Sequence, residues 1–111
     1  MKVFVSDRGM GKTTFLIEES AKRKLPILCT NNEQVQFIKR RADWMGIEIP
    51  EPISYDRVLR NNQYGMPNPR NEYLVDEAQT LLSIVLGINI KAMTVNVRDG
   101  DLKVVPFKGE N

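Results

Sequence analysis

The sequence predicts an α/β fold in which short, mostly parallel strands alternate with helices. An apolar run, Val3 to Val5, leads through a glycine-containing turn into a helical pattern that starts at Lys12. A second apolar run, over residues 25–30, is followed by apolar residues at helical spacing. A third ends in two adjacent carboxylates, Asp76 and Glu77. Alternation of strands and helices is typical of a parallel sheet covered by helices.

Length and composition limit the possible functions. The 111 residues indicate one minimal domain, 1–111, and 16 basic against 14 acidic residues give a net charge of only +2. The chain has no histidine, which excludes histidine acid–base catalysis and removes a common zinc ligand. Cys29 is the single cysteine, so we expect no internal disulfide and a buried thiol in a reduced, cytoplasmic compartment. No apolar stretch is long enough to predict a membrane span, and Asp7 and Arg8 interrupt the first apolar run too early to predict a signal peptide.

The apolar periodicity places the elements along the chain. We predict strands over 2–6, 25–30, 53–55, 73–75, 90–97 and 102–107, and helices over 12–24, 56–62 and 78–87. A further helix, capped by Asn31 or Asn32, is predicted between the second and third strands from the helical spacing of its apolar residues. Residues 61–71 are expected to form a long surface loop. The predicted core contacts of the first two helices are Phe15, Leu16, Ala21, Val35, Ile38, Ala42 and Met45.

The C-terminal segment predicts a β-hairpin. Apolar and polar residues alternate from Ile90 to Val97, as in a half-buried strand. Asp99-Gly100 is a favoured two-residue hairpin turn, so the last strand, over 102–107, is expected to be antiparallel. The sheet would then be mixed at this end.

The glycine-containing turn predicts a phosphate-binding loop. Its nucleotide-binding residues would be Ser6, Asp7, Arg8, Gly9, Met10, Gly11, Lys12, Thr13 and Thr14. Glycines let successive backbone N–H groups point at phosphate oxygens, and the helix that follows adds the positive end of its dipole. Lys12 would reach the β- and γ-phosphates, and the Thr13 hydroxyl would bind Mg²⁺. Ser6 stands where the usual motif has its first glycine.

The two carboxylates after the third apolar run complete the predicted site. Strands of a parallel sheet bind ligands at their carboxyl ends, so Asp76 and Glu77 would face the loop. We expect Asp76 to hold Mg²⁺ and Glu77 to orient and polarise the attacking water. Lys12 and Glu77 are the predicted catalytic residues.

Both stretches together resemble a P-loop NTPase with Walker A and Walker B motifs and a catalytic glutamate. The chain is similar to the first RecA-like domain of DNA helicases through GMGKTT, ILCTNNEQVQFI and VDEAQ, and to phage DNA-packaging terminase ATPases around Arg8. The resemblance implies a three-layer RecA-like fold, ATP and Mg²⁺ as ligands, and hydrolysis coupled to DNA processing, in a phage or mobile-element protein of the (host) cytoplasm. It also implies that Gln79 couples nucleotide state to movement and that Thr94 or Asn96 is a sensor on the following strand.

Other functions stay open. The GKTT loop and DEAQ box are also similar to those of type II thymidine kinases, although the zinc-binding cysteines of that family are missing. A nucleotide-gated binding module with little turnover is the third possibility. An ATPase this small would need an arginine from a second subunit or a partner, and Arg57, Arg60 and Arg70 are the candidates. We therefore expect a homo-oligomer or a protein partner.

Overall fold

The computed structural model describes residues 1–5, 11–63 and 71–104, which form four helices and five short strands. In chain order these are β1 (Val3–Val5), α1 (Lys12–Arg23), β2 (Ile27–Cys29), α2 (Asn32–Met45), β3 (Ile53–Ser54), α3 (Tyr55–Gln63), β4 (Leu74–Val75), α4 (Ala78–Leu86) and β5 (Leu102–Val104). The predicted α/β class is confirmed. The bounds of α1, α3 and α4 agree with the sequence pattern to within one or two residues.

The strands of the described segments form two parallel sheets. In the larger sheet β2 lies between β3 and β4, with Leu28 opposite both Ile53 and Val75. In the smaller sheet β1 pairs with β5. Parallel pairing requires each chain reversal to pass through a crossover, and the helices provide those crossovers. The carboxyl ends of β2 and β4 therefore lie at the same edge of the larger sheet.

The predicted C-terminal hairpin is wrong. Residues 90–98 form no strand, and residues 91–100 are exposed. A turn does form, because the Asp101 N–H donates to the Arg98 carbonyl at 3.0 Å. The strand after it, β5, pairs instead in parallel with β1, Leu102 opposite Val3. An alternating pattern predicts a strand's period but not its partner, and here the partner is a strand from the other end of the chain. Residues 105–107 of the predicted last strand lie outside the described residues.

The core is formed by β2 and the faces of α1 and α2 that pack on it. The buried apolar side chains of this cluster are Leu16, Ile17, Leu25, Ile27, Cys29, Val35, Ile38, Ala42 and Leu74. Burial of Leu16, Val35, Ile38 and Ala42 confirms the predicted stripes, and Met45 packs against the cluster while remaining partly buried. Phe15 and Ala21 are only half-buried, whereas Ile17, which the pattern missed, is fully buried.

Helix α4 is packed differently from the other helices. Its sequence is apolar on nearly every side, yet Leu81 is its one buried residue. The exposed apolar side chains around it are Leu82, Ile84, Val85, Leu86 and Ile88. Within the described residues, no helix has the length and apolar character needed to cross a membrane.

The ends of α1 and α2 show two solutions to the same backbone requirement. Both helices end in a left-handed residue, Gly46 after α2 (φ 71°) and Lys24 after α1 (φ 58°). Glycine adopts this conformation without penalty, whereas a side chain with a Cβ is strained there. The Lys24 N–H still donates to the Ser20 carbonyl at 2.8 Å, so the cap forms despite the strain.

Replacing Lys24 with glycine should therefore stabilise the protein. We expect Lys24→Gly to raise the free energy of unfolding by about 0.5–1 kcal/mol, since relief of strain exceeds the added flexibility of the unfolded chain. Lys22→Gly, two residues earlier and inside α1, should lower it by about 1 kcal/mol. Urea unfolding of both variants measures the difference, and a loss of stability in both would show that Lys24 is not strained.

Candidate functional site

The first turn of α1 begins at a residue whose backbone suits glycine. Gly11 precedes the helix with φ 87°, and its carbonyl accepts the N–H of Phe15 at 3.0 Å. A side chain with a Cβ would be strained in this left-handed conformation. Lys12 and Thr13 follow directly and lie in the first turn. The other predicted loop residues, Ser6, Asp7, Arg8, Gly9 and Met10, lie outside the described residues.

Lys12 contacts the carboxylate of Glu77, which lies 65 residues later in the chain. Its Nζ donates to Oε1 of Glu77 at 2.9 Å, and the two side chains are 23% and 33% exposed. Glu77 immediately precedes α4 and has φ 55°, with no side-chain cap to that helix. A left-handed glutamate costs free energy, and such strained residues concentrate at functional sites. The Glu77 side chain contacts Lys12 of α1 instead of capping its own helix.

Thr13 contacts the other carboxylate of the pair. Its Oγ1 donates to Oδ2 of Asp76 at 3.3 Å, and Asp76 is only 5% exposed. Burial, together with the negative charge of Glu77, raises the pKa of Asp76, while the Thr13 hydrogen bond and the Lys12 charge act in the opposite direction. A buried carboxylate beside another carboxylate is an environment that favours a cation.

Gln34 also belongs to this cluster, and the sequence analysis missed it. Its Nε2 donates to Oδ2 of Asp76 at 3.4 Å. Its Oε1 accepts both the N–H and the hydroxyl of Thr30, at 2.7 and 3.0 Å. The Asn31 side chain accepts the Gln34 N–H at 2.8 Å and caps α2, so of the two candidate caps, Asn31 and Asn32, the first is the one used. The sequence feature that could have predicted this contact is the position of these polar residues directly after β2. The carboxyl end of β2 lies at the same edge of the sheet as the end of β4, where Asp76 follows.

Cys29 lies near the same edge but takes no part in the chemistry. It is fully buried, and burial, followed by the charge of Asp76, raises its pKa to about 12. The thiol therefore stays protonated and unreactive at neutral pH. Its predicted burial is confirmed.

The remaining predicted residues divide into three groups. Gln79 reaches the site, since its Nε2 donates to Oε2 of Glu77 at 3.3 Å. Thr94 and Asn96 are exposed and belong to no strand, so the predicted sensor strand is wrong. Among the arginines, Arg57 is exposed on α3, and Arg60 on the same helix forms an ion pair with Asp56 at 3.6 Å. Arg70 lies outside the described residues.

The oxygen atoms at this edge suit Mg²⁺. Magnesium sites that bind phosphate use one or two protein oxygen ligands, with phosphates and waters completing the coordination. The Thr13 hydroxyl and the Asp76 carboxylate are oxygen donors of this kind. No cluster of three or more histidine, cysteine or acidic side chains that could hold a metal occurs in the part of the chain that the structure describes, so a site made of protein ligands alone is not indicated there.

Neither the protein-family models, nor the curated proteins, nor the solved structures that were compared with this chain match it. The contacts between the start of α1 and the end of β4 are therefore the basis for assigning a function.

The Gln34 bridge should contribute measurably to stability. Gln34→Ala removes hydrogen bonds to Thr30 and Asp76, so we expect the free energy of unfolding to fall by about 1–2 kcal/mol. Gln36→Ala, an exposed position on the same helix, should change it by less than about 0.5 kcal/mol. Urea unfolding at one pH compares the two. Equal effects would mean that the bridge contributes nothing.

Proposed function

We propose that this chain is a P-loop ATPase with a three-layer, RecA-like fold. The observation that supports the proposal is the pair of contacts Lys12–Glu77 and Thr13–Asp76, which join two sequence motifs 65 and 63 residues apart. Each motif alone is common. They meet at the carboxyl end of β4, with the lysine and threonine in the first turn of a helix, and this combination of groups suits phosphoryl transfer.

Binding of ATP would begin with an exchange of partners at Lys12. In the structure its ammonium group is paired with Glu77. The triphosphate carries more negative charge than one carboxylate, and the N-terminus of α1 adds backbone N–H donors next to Lys12. Lys12 would therefore turn to the phosphates, and Glu77 would be released. Nucleotide binding and exposure of the catalytic carboxylate would be one event.

The released Glu77 would act on water. Its carboxylate would accept a hydrogen bond from the water that attacks the γ-phosphorus, while the bond from that phosphorus to the bridging oxygen breaks, giving ADP and inorganic phosphate. Thr13 and Asp76 would hold Mg²⁺, which neutralises charge on the phosphate oxygens when bound. Gln79, already hydrogen-bonded to Glu77, would sense the change in that side chain.

The proposed biological role is DNA processing by a phage or mobile-element protein in the cytoplasm. It is supported by the resemblance to helicase and packaging ATPases. Fast NTPases place an arginine at the transferring phosphate, and Arg57 on α3 is exposed and available to a neighbouring subunit. We propose that turnover requires self-assembly or a partner that supplies this charge.

A nucleotide-gated binding module is the second candidate. It is favoured by the Lys12–Glu77 pair, which keeps the catalytic carboxylate engaged until a ligand displaces it. A module of this kind would bind ATP and change state without appreciable turnover.

The experiment that tests the proposal separates binding from turnover. Glu77→Gln should retain MgATP affinity and lose most ATP hydrolysis, because Glu77 acts on the water and not on the bound phosphates. Glu18→Gln, an exposed position on α1, is the matched control and should retain both. The measurements are calorimetric titration and phosphate release, each with and without single-stranded DNA.

Three outcomes decide among the candidates. Unchanged hydrolysis in Glu77→Gln would contradict the assigned catalytic role. Tight MgATP binding by the wild type without phosphate release would favour the gated module. ADP formed only when a nucleoside acceptor is added would identify a kinase.

A further inference from the structure

The exposed face of α2 carries two aromatic and two basic side chains at neighbouring positions. Phe37, Arg40, Arg41 and Trp44 are spaced i, i+3, i+4 and i+7, which places them on one side of a helix. The core-facing stripe of α2, with Val35, Ile38 and Ala42, lies on the other side. These four residues are called the α2 aromatic–arginine face.

The aromatic rings of this face are unusually open to solvent. Trp44 is 78% exposed and Phe37 is 49% exposed. The Arg41 guanidinium lies over the Trp44 ring, 5.0 Å from its centroid, which holds the cation beside the indole. Large rings exposed in this way gain less from the fold than buried ones, and apolar groups clustered at the surface are typical of binding surfaces.

The charge of the face is not neutralised by an ion pair within the described residues. Among the described residues, neither Arg40 nor Arg41 forms an ion pair with a carboxylate, whereas Lys39 on the same helix is paired with Glu51 at 3.0 Å. Two guanidinium groups that lack a carboxylate partner among the described residues, next to two exposed rings, are complementary to a ligand that combines phosphates with flat, apolar groups.

Arg41 also joins this face to the candidate nucleotide site. Its Nη2 donates to Oγ1 of Thr14 at 3.4 Å, and Thr14 follows Thr13 in the first turn of α1. A ligand that attracts the Arg41 guanidinium would therefore compete with Thr14 for it.

From these contacts we propose that the α2 aromatic–arginine face binds single-stranded nucleic acid. Bases stack on exposed aromatic rings while arginines contact the backbone phosphates, and this mode tolerates any base sequence. A duplex fits less well because its bases are already stacked inside the helix. Strand binding does not depend on the proposed ATPase function, whereas its coupling to ATP through Arg41 and Thr14 rests on that function.

Trp44 is the single tryptophan of the chain, so its fluorescence reports directly on this face. We expect a short oligothymidylate to quench the emission, and an abasic oligomer of equal length to quench it much less. ATP should leave the emission nearly unchanged. Quenching by ATP at least as strong as that by the oligonucleotide would instead assign the face to the base of a bound nucleotide and overturn the proposal.

Variants test the same surface without relying on the indole. In anisotropy titrations with a labelled oligothymidylate, Trp44→Ala and Arg41→Ala should each weaken binding at least about fivefold, consistent with loss of one stacked base or one phosphate contact. Arg98→Ala, an exposed arginine in the turn before β5, is the matched control and should change affinity by less than twofold. Equal affinity for all three variants, or tighter binding of duplex than of single strand, would contradict the proposal.

The coupling between MgATP binding and strand binding is tested separately. Thr14→Val keeps the shape of the side chain but removes the hydroxyl that Arg41 contacts. If MgATP changes the affinity of the wild type for the oligonucleotide, Thr14→Val should abolish that change while retaining strand binding. If the wild type binds the oligonucleotide but MgATP has no effect on that binding, the coupling through Arg41 and Thr14 is refuted and the binding surface is still supported. If the wild type does not bind MgATP but binds the oligonucleotide, the proposed ATPase function is contradicted and the binding surface is not.

Discussion

The contact between the first turn of α1 and the end of β4 is the interaction on which the candidate site depends. It consists of one ion pair, Lys12–Glu77, and one hydrogen bond, Thr13–Asp76. Partly exposed ion pairs contribute little to stability, and a buried carboxylate beside a second one is unfavourable. The arrangement is therefore poorly explained by stability alone. It is well explained if the lysine, the hydroxyl and the carboxylates act on a ligand with phosphate charge and a divalent cation.

The residues around this contact are also unfavourable for stability. Glu77 is held in a left-handed conformation, and Asp76 is buried with its pKa raised by burial and by Glu77. Departures from local preference are expected where function, and not folding, has selected the residue. Gln34 supports the arrangement from α2 by linking Asp76 to Thr30. The strained and buried groups thus have neighbours that hold them in place.

Much of the fold and of the site could be predicted because both depend on local patterns. Helical periodicity predicted the bounds of α1 and the core-facing stripe of α2. The two motifs predicted Lys12, Thr13, Asp76 and Glu77, which the structure brings together. Strand partners are not local, so the parallel pairing of β5 with β1 could not be read from the alternating segment before it. The strand predicted over 90–97, which would carry the sensor candidates Thr94 and Asn96, does not form, and their sensor role stays a prediction. Gln34 was missed because a glutamine near a helix start has no distinctive signal until its partners are known.

The central claim is that Lys12 belongs to a phosphate-binding site, and the most direct test is calorimetric titration of MgATP into the wild type and Lys12→Ala. The wild type should bind one nucleotide, and the variant should bind at least about tenfold more weakly, because a charge-assisted hydrogen bond to phosphate is lost. Its melting temperature should stay close to that of the wild type, since Lys12 is not part of the core. Lys22→Ala, on the same helix and exposed, should bind MgATP like the wild type. Equal MgATP affinity in the wild type and Lys12→Ala, or no binding by either, would contradict the claim.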